Sequence, residues 1–228
     1  PLCARSLEVC MHEHFFDCPH YEQQMYPGDA RVQLLTASAM SADSRLQRQA
    51  FRLLERSQRE DGLFAITWPS QWSTLSPTYS MVYALILADY AAWRGDRAWL
   101  KGRLPALAHL MEGLAVRSRP DGLLESLPGW NFIDWADWQK GVFPGAGPES
   151  GKLSACENLL YALALQSAAF VARALGEEAL AAIYDARRAR VVQAVRTVFW
   201  DESRGLVADD PARTRFSEHA SALAILAD

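Results

Sequence analysis

The chain runs to 228 residues, enough for one large domain or two small ones. Half of them are hydrophobic and 22% charged, with 23 basic against 27 acidic side chains and a formal net charge of −4. A mildly acidic chain with no basic block lacks the clustered Lys and Arg that sequence-independent nucleic-acid binding needs, and no unbroken apolar run reaches the ~18 residues of a membrane span. The opening stretch PLCARSLEVC lacks the order of charge, apolar core and small-residue cleavage site that marks a signal peptide. Four cysteines are too sparse to staple a fold. Cys3, Cys10 and Cys18 lie near His12, His14 and His20, but with no CxxC pair the spacing fits no ordinary zinc pattern, and no metal is expected.

Hydrophobic periodicity predicts helices near 1–14, 30–41, 43–59, 77–93, 96–117, 153–175, 177–198 and 217–227, and no strand. Asp96 after Gly95 reads as an N-cap, Gly176 as a helix end and Ser217 as the start of the last helix. Segment 43–59 places Leu46, Ala50, Leu53 and Leu54 on one side and polar residues elsewhere, as an outer helix does. Segments 77–93 and 153–175 are apolar nearly all round and should be buried; 96–117 and 177–198 are amphipathic again. Inner and outer helices therefore alternate from residue 30 onward. The inner-to-outer links are short, whereas the outer-to-inner links 15–29, 60–76, 118–152 and 199–216 are long. This predicts an all-α toroid of helical hairpins whose four long loops meet at one rim, where function should sit. Arg59-Glu60-Asp61-Gly62-Leu63-Phe64 recurs as Arg119-Pro120-Asp121-Gly122-Leu123-Leu124, and both aspartates read as turn residues.

The long loops hold most of the tryptophans: Trp68, Trp72, Trp130, Trp135, Trp138 and Trp200. Aromatic platforms beside carboxylates suit sugar rings, which present flat apolar faces edged with hydroxyls. The first loop carries Asp17, Glu22 and Asp29, a carboxylate density that glycoside hydrolysis could use. Each also has a structural reading: Asp29 could cap the helix at 30–41, and Asp17 could brace a turn before Cys18-Pro19. The stretch 130–138, WNFIDWADW, interleaves Asp134 and Asp137 with Trp135 and Trp138. Arg213, Arg215 and His219 read as surface or capping groups.

The run from Asp17 to Arg31, D-C-P-x-x-E-Q-x-x-Y-x-G-D-A-R, resembles the active-site loop of the bacterial α-L-rhamnosidases of glycoside hydrolase family 78. The Arg94-Gly95-Asp96 link, FIDWADW, FWDESRGLVAD and SEHASALAIL follow in the matching order, so the resemblance covers essentially the whole chain. It implies an (α/α)6 catalytic barrel acting as an inverting exo-glycosidase on rhamnose-containing glycosides, with no cofactor and no metal. By position it implies Glu22 as general acid, Asp17 and Asp29 as ligands of the rhamnosyl ring, and Tyr26, Trp72, Asp137 and Trp138 along the same pocket, with Trp135 beside them. Tyr26 stands where many relatives have Trp, and Tyr21 where some have Arg.

The family's general base is a Glu in a later loop, and Glu149, Glu157 and Glu218 do not sit where it would be. Eight helical segments also fall short of six hairpins. The expectation is therefore residues 1–228 as a partial catalytic domain, inactive alone, carrying the acid but not the base. Two alternatives stay open: another (α/α)6 glycosidase with a different sugar, or a non-catalytic carbohydrate-binding helical domain. Partners other than the sugar, including nucleic acid and membrane, are not expected. The oligomeric state is not legible, and the compartment stays open between bacterial cytoplasm and periplasm.

Overall fold

The computed structural model describes residues 2–72, 74–134 and 153–228. Among them the chain forms α1 (Leu2–Cys10), α2 (Pro27–Met40), α3 (Arg45–Arg56), α4 (Pro77–Arg94), α5 (Arg97–Lys101), α6 (Leu104–Ala115), α7 (Ala155–Leu175), α8 (Glu178–Phe199) and α9 (Glu218–Ala227). A two-residue antiparallel hairpin, β1 (Trp200–Asp201) with β2 (Leu206–Val207), closes the end of α8.

Burial separates two layers. Helix α4 buries eleven of its 18 residues and α7 buries 13 of 21, whereas α3 buries five of 12 and α8 six of 22. The inner helices pack in succession, α2 on α4, α4 on α7 and α7 on α9, with α8 laid along α7. This is the expected alternation of inner and outer helices. By length and composition α7 could cross a membrane, but 56% of that window is buried against its neighbours, as in the core helix of a folded domain.

Four expectations need correction. The helix expected over 96–117 is two, because the chain breaks at Gly102 and Arg103, and Pro105 has no N–H with which to continue the first ladder. The first helix ends at Cys10 rather than near 14: Phe16 donates its amide to the Cys10 carbonyl (2.7 Å), which turns the chain back. The second starts at Pro27, whose fixed φ suits a first turn, so Tyr26 rather than Asp29 is the N-cap. A short strand pair exists where none was expected, too short to leave an alternating pattern.

The caps follow local chemistry. Asp96, Ser154 and Ser217 accept from the amides of Trp99, Glu157 and Ala220, and Gly95 and Gly176 take the left-handed conformation that ends α4 and α7. The two Asp-Gly segments build one turn twice. Asp61 accepts from the Leu63 amide at 3.3 Å and Asp121 from Leu123 at 3.1 Å. Gly62 lies at φ +86, and a Cβ there would come within 2.3 Å of the His109 carbonyl oxygen, so glycine lets this turn seat against α6.

The long loops are fastened to one another in sequence. Trp68 donates its amide to the Met25 carbonyl (3.4 Å), and Thr67 Oγ1 donates to Gln24 Oε1 (3.2 Å), joining the second loop to the first. Trp130 donates its amide to the Leu75 carbonyl at 2.8 Å, an approach that Gly129 permits, since a Cβ there would lie 2.3 Å from the same oxygen. Ala155, at the start of α7, donates to the Asp209 carbonyl of the last loop (3.1 Å). The N-terminal ends of the inner helices thus share one rim with the loops.

Candidate active site

The first loop is anchored at both ends and open in the middle. Phe15 and Met25 are buried in the core, while Gln33 Nε2, from α2, donates to the Phe16 carbonyl at 2.5 Å. Asp17 closes the loop on itself: its amide donates to the Gln24 carbonyl, and its Oδ1 accepts from the Gln24 amide, both at 2.8 Å. Asp17 therefore does brace a turn, as one reading of the sequence holds. Between these ends, Glu22 donates its amide to Cys18 Sγ (3.2 Å), and Gln23 adopts φ 53, a left-handed conformation uncommon outside glycine. Glu22 is exposed at the crest of this reversal.

Tyr26 ends the loop and contacts Glu22 directly, its hydroxyl donating to Glu22 Oε2 at 2.6 Å. Desolvation, then the hydrogen bond and charge of Glu22, push the Tyr26 phenol well up, so it stays a proton donor at any ordinary pH. Asp29 lies in the first turn of α2 and is not the cap the sequence suggests. Its side chain reaches solvent through the open side of the rim, yet the surrounding walls desolvate it and raise its carboxyl above the usual range. The helix amide at its own position opposes this, and the charges of Asp17 and Glu22 add to it. The cation nearest in sequence is engaged elsewhere: Arg31 Nε pairs with Asp89 Oδ2 of α4 at 2.7 Å. Among the described residues no Lys, Arg or His forms an ion pair with Asp17, Glu22 or Asp29.

One wall of the site is not foreseen from the sequence. Tyr79, in the first turn of α4, meets Tyr26 edge-on with ring centroids 6.3 Å apart and tilts against Phe132 at 5.9 Å. Burial, then the charges of Asp29, Asp134 and Glu22, raise its phenol strongly, which places all three carboxylates around one ring. Gly28 lies over the same hydroxyl; a Cβ there would sit 3.4 Å from the Tyr79 oxygen. In sequence Tyr79 reads only as part of a buried helix.

Of the aromatic platforms, Trp72 is 53% exposed on the second loop and Trp130 37% exposed on the third. Among the described contacts none joins Trp72 to the acid loop; its amide donates to Ser70 Oγ. Trp130 stacks edge-on with Phe132, which hands the aromatic wall on to Tyr79. Trp68 is half-buried and packs on the core, and Trp200 bonds Glu202 through its indole N–H. Trp135, Asp137, Trp138 and Glu149 lie outside the described residues.

Arg213 caps the end of α8 through the carbonyls of Thr197 and Val198, and Arg215 pairs with Asp210. Those match their reading as surface or capping groups. His219 is a partly open surface group as well, and its Nε2 lies 2.7 Å from Asp134 Oδ2. Glu157, at the start of α7, is only 3% exposed, and burial alone pushes its carboxyl up to about 8. Among the described residues no three His, Cys, Asp or Glu side chains gather as a metal site would.

The geometry on this rim defines a class: an all-α hairpin toroid with a crowded set of carboxylates, unpaired with any cation among the described residues, beside aromatic rings. A model of the bacterial alpha-L-rhamnosidase 6 hairpin glycosidase domain matches residues 1–228, and the chain belongs to that family. Two solved structures are similar over 99% of this chain. The GH78 family rhamnosidase of Bacillus sp. GL1 matches at 26% identity and a TM-score of 0.86. The rhamnosidase from Klebsiella oxytoca with rhamnose bound matches at 25% identity and 0.84. This chain spans 23% of the first protein and 42% of the second. The GH63 mannosylglycerate hydrolase from Thermus thermophilus shares the fold, with a TM-score of 0.63 at 14% identity over all of this chain and 73% of that one. Among curated protein sequences none matches.

Proposed function

We propose that the protein is an exo-acting, inverting glycoside hydrolase that releases terminal α-L-rhamnose, with Glu22 as its general acid and residues 1–228 as part of the catalytic domain. The observation that carries this is the Tyr26–Glu22 contact within a carboxylate set that no cation among the described residues pairs with. Tyr26 donates to Oε2 of Glu22, so the catalytic proton belongs on Oε1, aimed at the glycosidic oxygen. A phenol that stays protonated also steadies the carboxylate left after the proton has moved. Asp17 and Asp29 accept from sugar hydroxyls, and their negative charge favours an oxocarbenium-like transition state. Trp72, Asp137 and Trp138 complete the pocket in this reading, and Tyr79 forms its floor.

Inversion requires a second carboxylate to activate water across the ring, about 6.5–9.5 Å from the acid. We assign that base to a residue outside these 228. The rhamnose found in the Klebsiella oxytoca relative supports an L-rhamnosyl glycone here. A panel of aryl glycosides tests the proposal, with the 228-residue chain compared to the native polypeptide that contains it. Rhamnoside hydrolysis by the longer form alone, with the β-anomer appearing first by NMR, is the expected result. Turnover by the 228-residue chain would place the base within it, retention would overturn inversion, and cleavage of another sugar would replace the substrate.

A further inference from the structure

His219 is a rim residue that the chemistry above does not use. It occupies the first turn of α9, and its Nε2 reaches Asp134 Oδ2 at 2.7 Å across 85 residues of sequence. Asp134 lies in the stretch 130–134. The start of that segment is fastened by the Trp130 amide to the Leu75 carbonyl (2.8 Å), by Asn131 Nδ2 to the Leu127 carbonyl (3.0 Å), and by Thr78 Oγ1 to the Phe132 carbonyl (2.7 Å). The contact with His219 adds a fastening at Asp134. Between them Phe132 lies against Tyr79, Tyr79 against Tyr26, and Tyr26 on Glu22, so the position of the segment reaches the acid through three successive contacts.

We propose that His219 is a positioning residue: through Asp134 it holds the aromatic segment 130–134 against the acid loop and so sets how tightly the glycone binds. The inference rests on the glycosidase reading of this rim. Both partners are partly open, with side chains 33% and 53% exposed, so the pair contributes little to global stability and its effect is local. An ordinary surface ion pair would do neither more nor less than that for folding; the difference appears only in substrate binding and in the order of 130–134.

The test uses the native polypeptide with His219→Ala and His219→Gln, since the glutamine amide can still donate to the Asp134 carboxylate. For His219→Ala, KM for the aryl rhamnoside should rise roughly tenfold, the equivalent of one charge-assisted hydrogen bond, with kcat changed less than about twofold. His219→Gln should recover most of that loss. Amide exchange across 130–134 should quicken in His219→Ala and return toward wild type in His219→Gln. An unchanged KM, or equal losses of KM and kcat in both variants, overturns the proposal. Should His219→Ala fail to fold, Asp134→Asn removes the charge from the same contact and carries the same two readouts. A wild-type protein that cleaves no glycoside sinks the glycosidase reading instead, and exchange at 130–134 then still decides whether His219 holds the segment.

Discussion

Two sets of aspartates, alike in sequence, are treated oppositely by the fold. Asp61 and Asp121 each accept from a backbone amide two residues on, and each is met by arginine: Asp61 by Arg117 (3.0 Å) and Arg59 (3.5 Å), Asp121 by Arg119 (3.1 Å). Asp17 and Asp29 stand with Glu22 on the rim, where the motif's own arginine turns away to Asp89. The two turn aspartates are each neutralised by arginine, while among the described residues the rim set has no cation beside it, Asp17 included although it too braces a turn, and such crowding is what functional sites use. The contrast argues for function at the rim more strongly than the mere presence of acids there, and substitutions can break it or sharpen it.

The largest effect is expected at Glu22. Glu22→Gln keeps the hydrogen bond from Tyr26 but has no proton to give, so kcat on an unactivated rhamnoside should fall by roughly 10²- to 10⁴-fold. On an aryl glycoside whose leaving group needs no protonation the loss should shrink. Steady-state rates on both substrates decide it, and equal losses on the two would remove Glu22 from the acid role.

Glu157 is a third kind of carboxyl, neither paired nor on the open rim. In unfolded chain it ionises near 4.5, and in the folded protein burial holds its proton until about 8. Below the lower value both states are neutral and there is no penalty. Between the two the unfolded state loses its proton first, so stability falls by about 1.4 kcal/mol per pH unit, and above the upper value the loss is complete. Glu157→Gln should therefore abolish a decline of roughly 3 kcal/mol between about pH 5.5 and 8.5. Thermal melts at the two pH values measure it; a wild-type Tm that does not drop more steeply than the variant's would show that the carboxyl escapes burial.

Asp29 should come next. Its carboxyl is raised above the usual range, so as pH falls it takes up a proton sooner than an ordinary aspartate and loses its strength as a hydroxyl acceptor. Rhamnose binding should weaken on the acid side for that reason. Asp29→Asn should cost about 1.5–3 kcal/mol in kcat/KM, the worth of a hydrogen bond to a charged group, and flatten that acid limb. A KM profile from about pH 4 to 7 that keeps its shape in the variant would assign the limb to another group.

What the sequence discloses follows the range of the interactions involved. The turn that Asp17 braces, the twin Asp-Gly turns and the caps at Asp96 and Ser217 are legible because each is made within a few residues of itself. The alternation of inner and outer helices is legible too, since a helix apolar all round has nowhere to lie but inside. Tyr79 and His219 are not. Their partners lie 53 and 85 residues away, and nothing about a tyrosine in an apolar helix or a histidine near a cap marks them as facing a pocket. The end of α5 is a different failure: Gly102 and Pro105 carry the signal, but the apolar stripe through Trp99, Leu107 and Leu110 runs on across the break.

The smallest effect separates the two aspartate sets most cleanly. Asp61→Ala and Asp121→Ala each remove a side-chain acceptor for a turn amide and release an arginine, which should cost about 1 kcal/mol of stability apiece. Asp61 should be the more costly, because Arg117 also reaches the Gly113 carbonyl and ties the turn to α6. Neither residue reaches the acid loop by any described contact, so kcat and KM should stay at wild-type values while the denaturation midpoint falls. The opposite pattern, with stability intact and activity lost, would mean that these turns transmit to the rim, and paired and unpaired aspartates would then not divide into structural and functional sets.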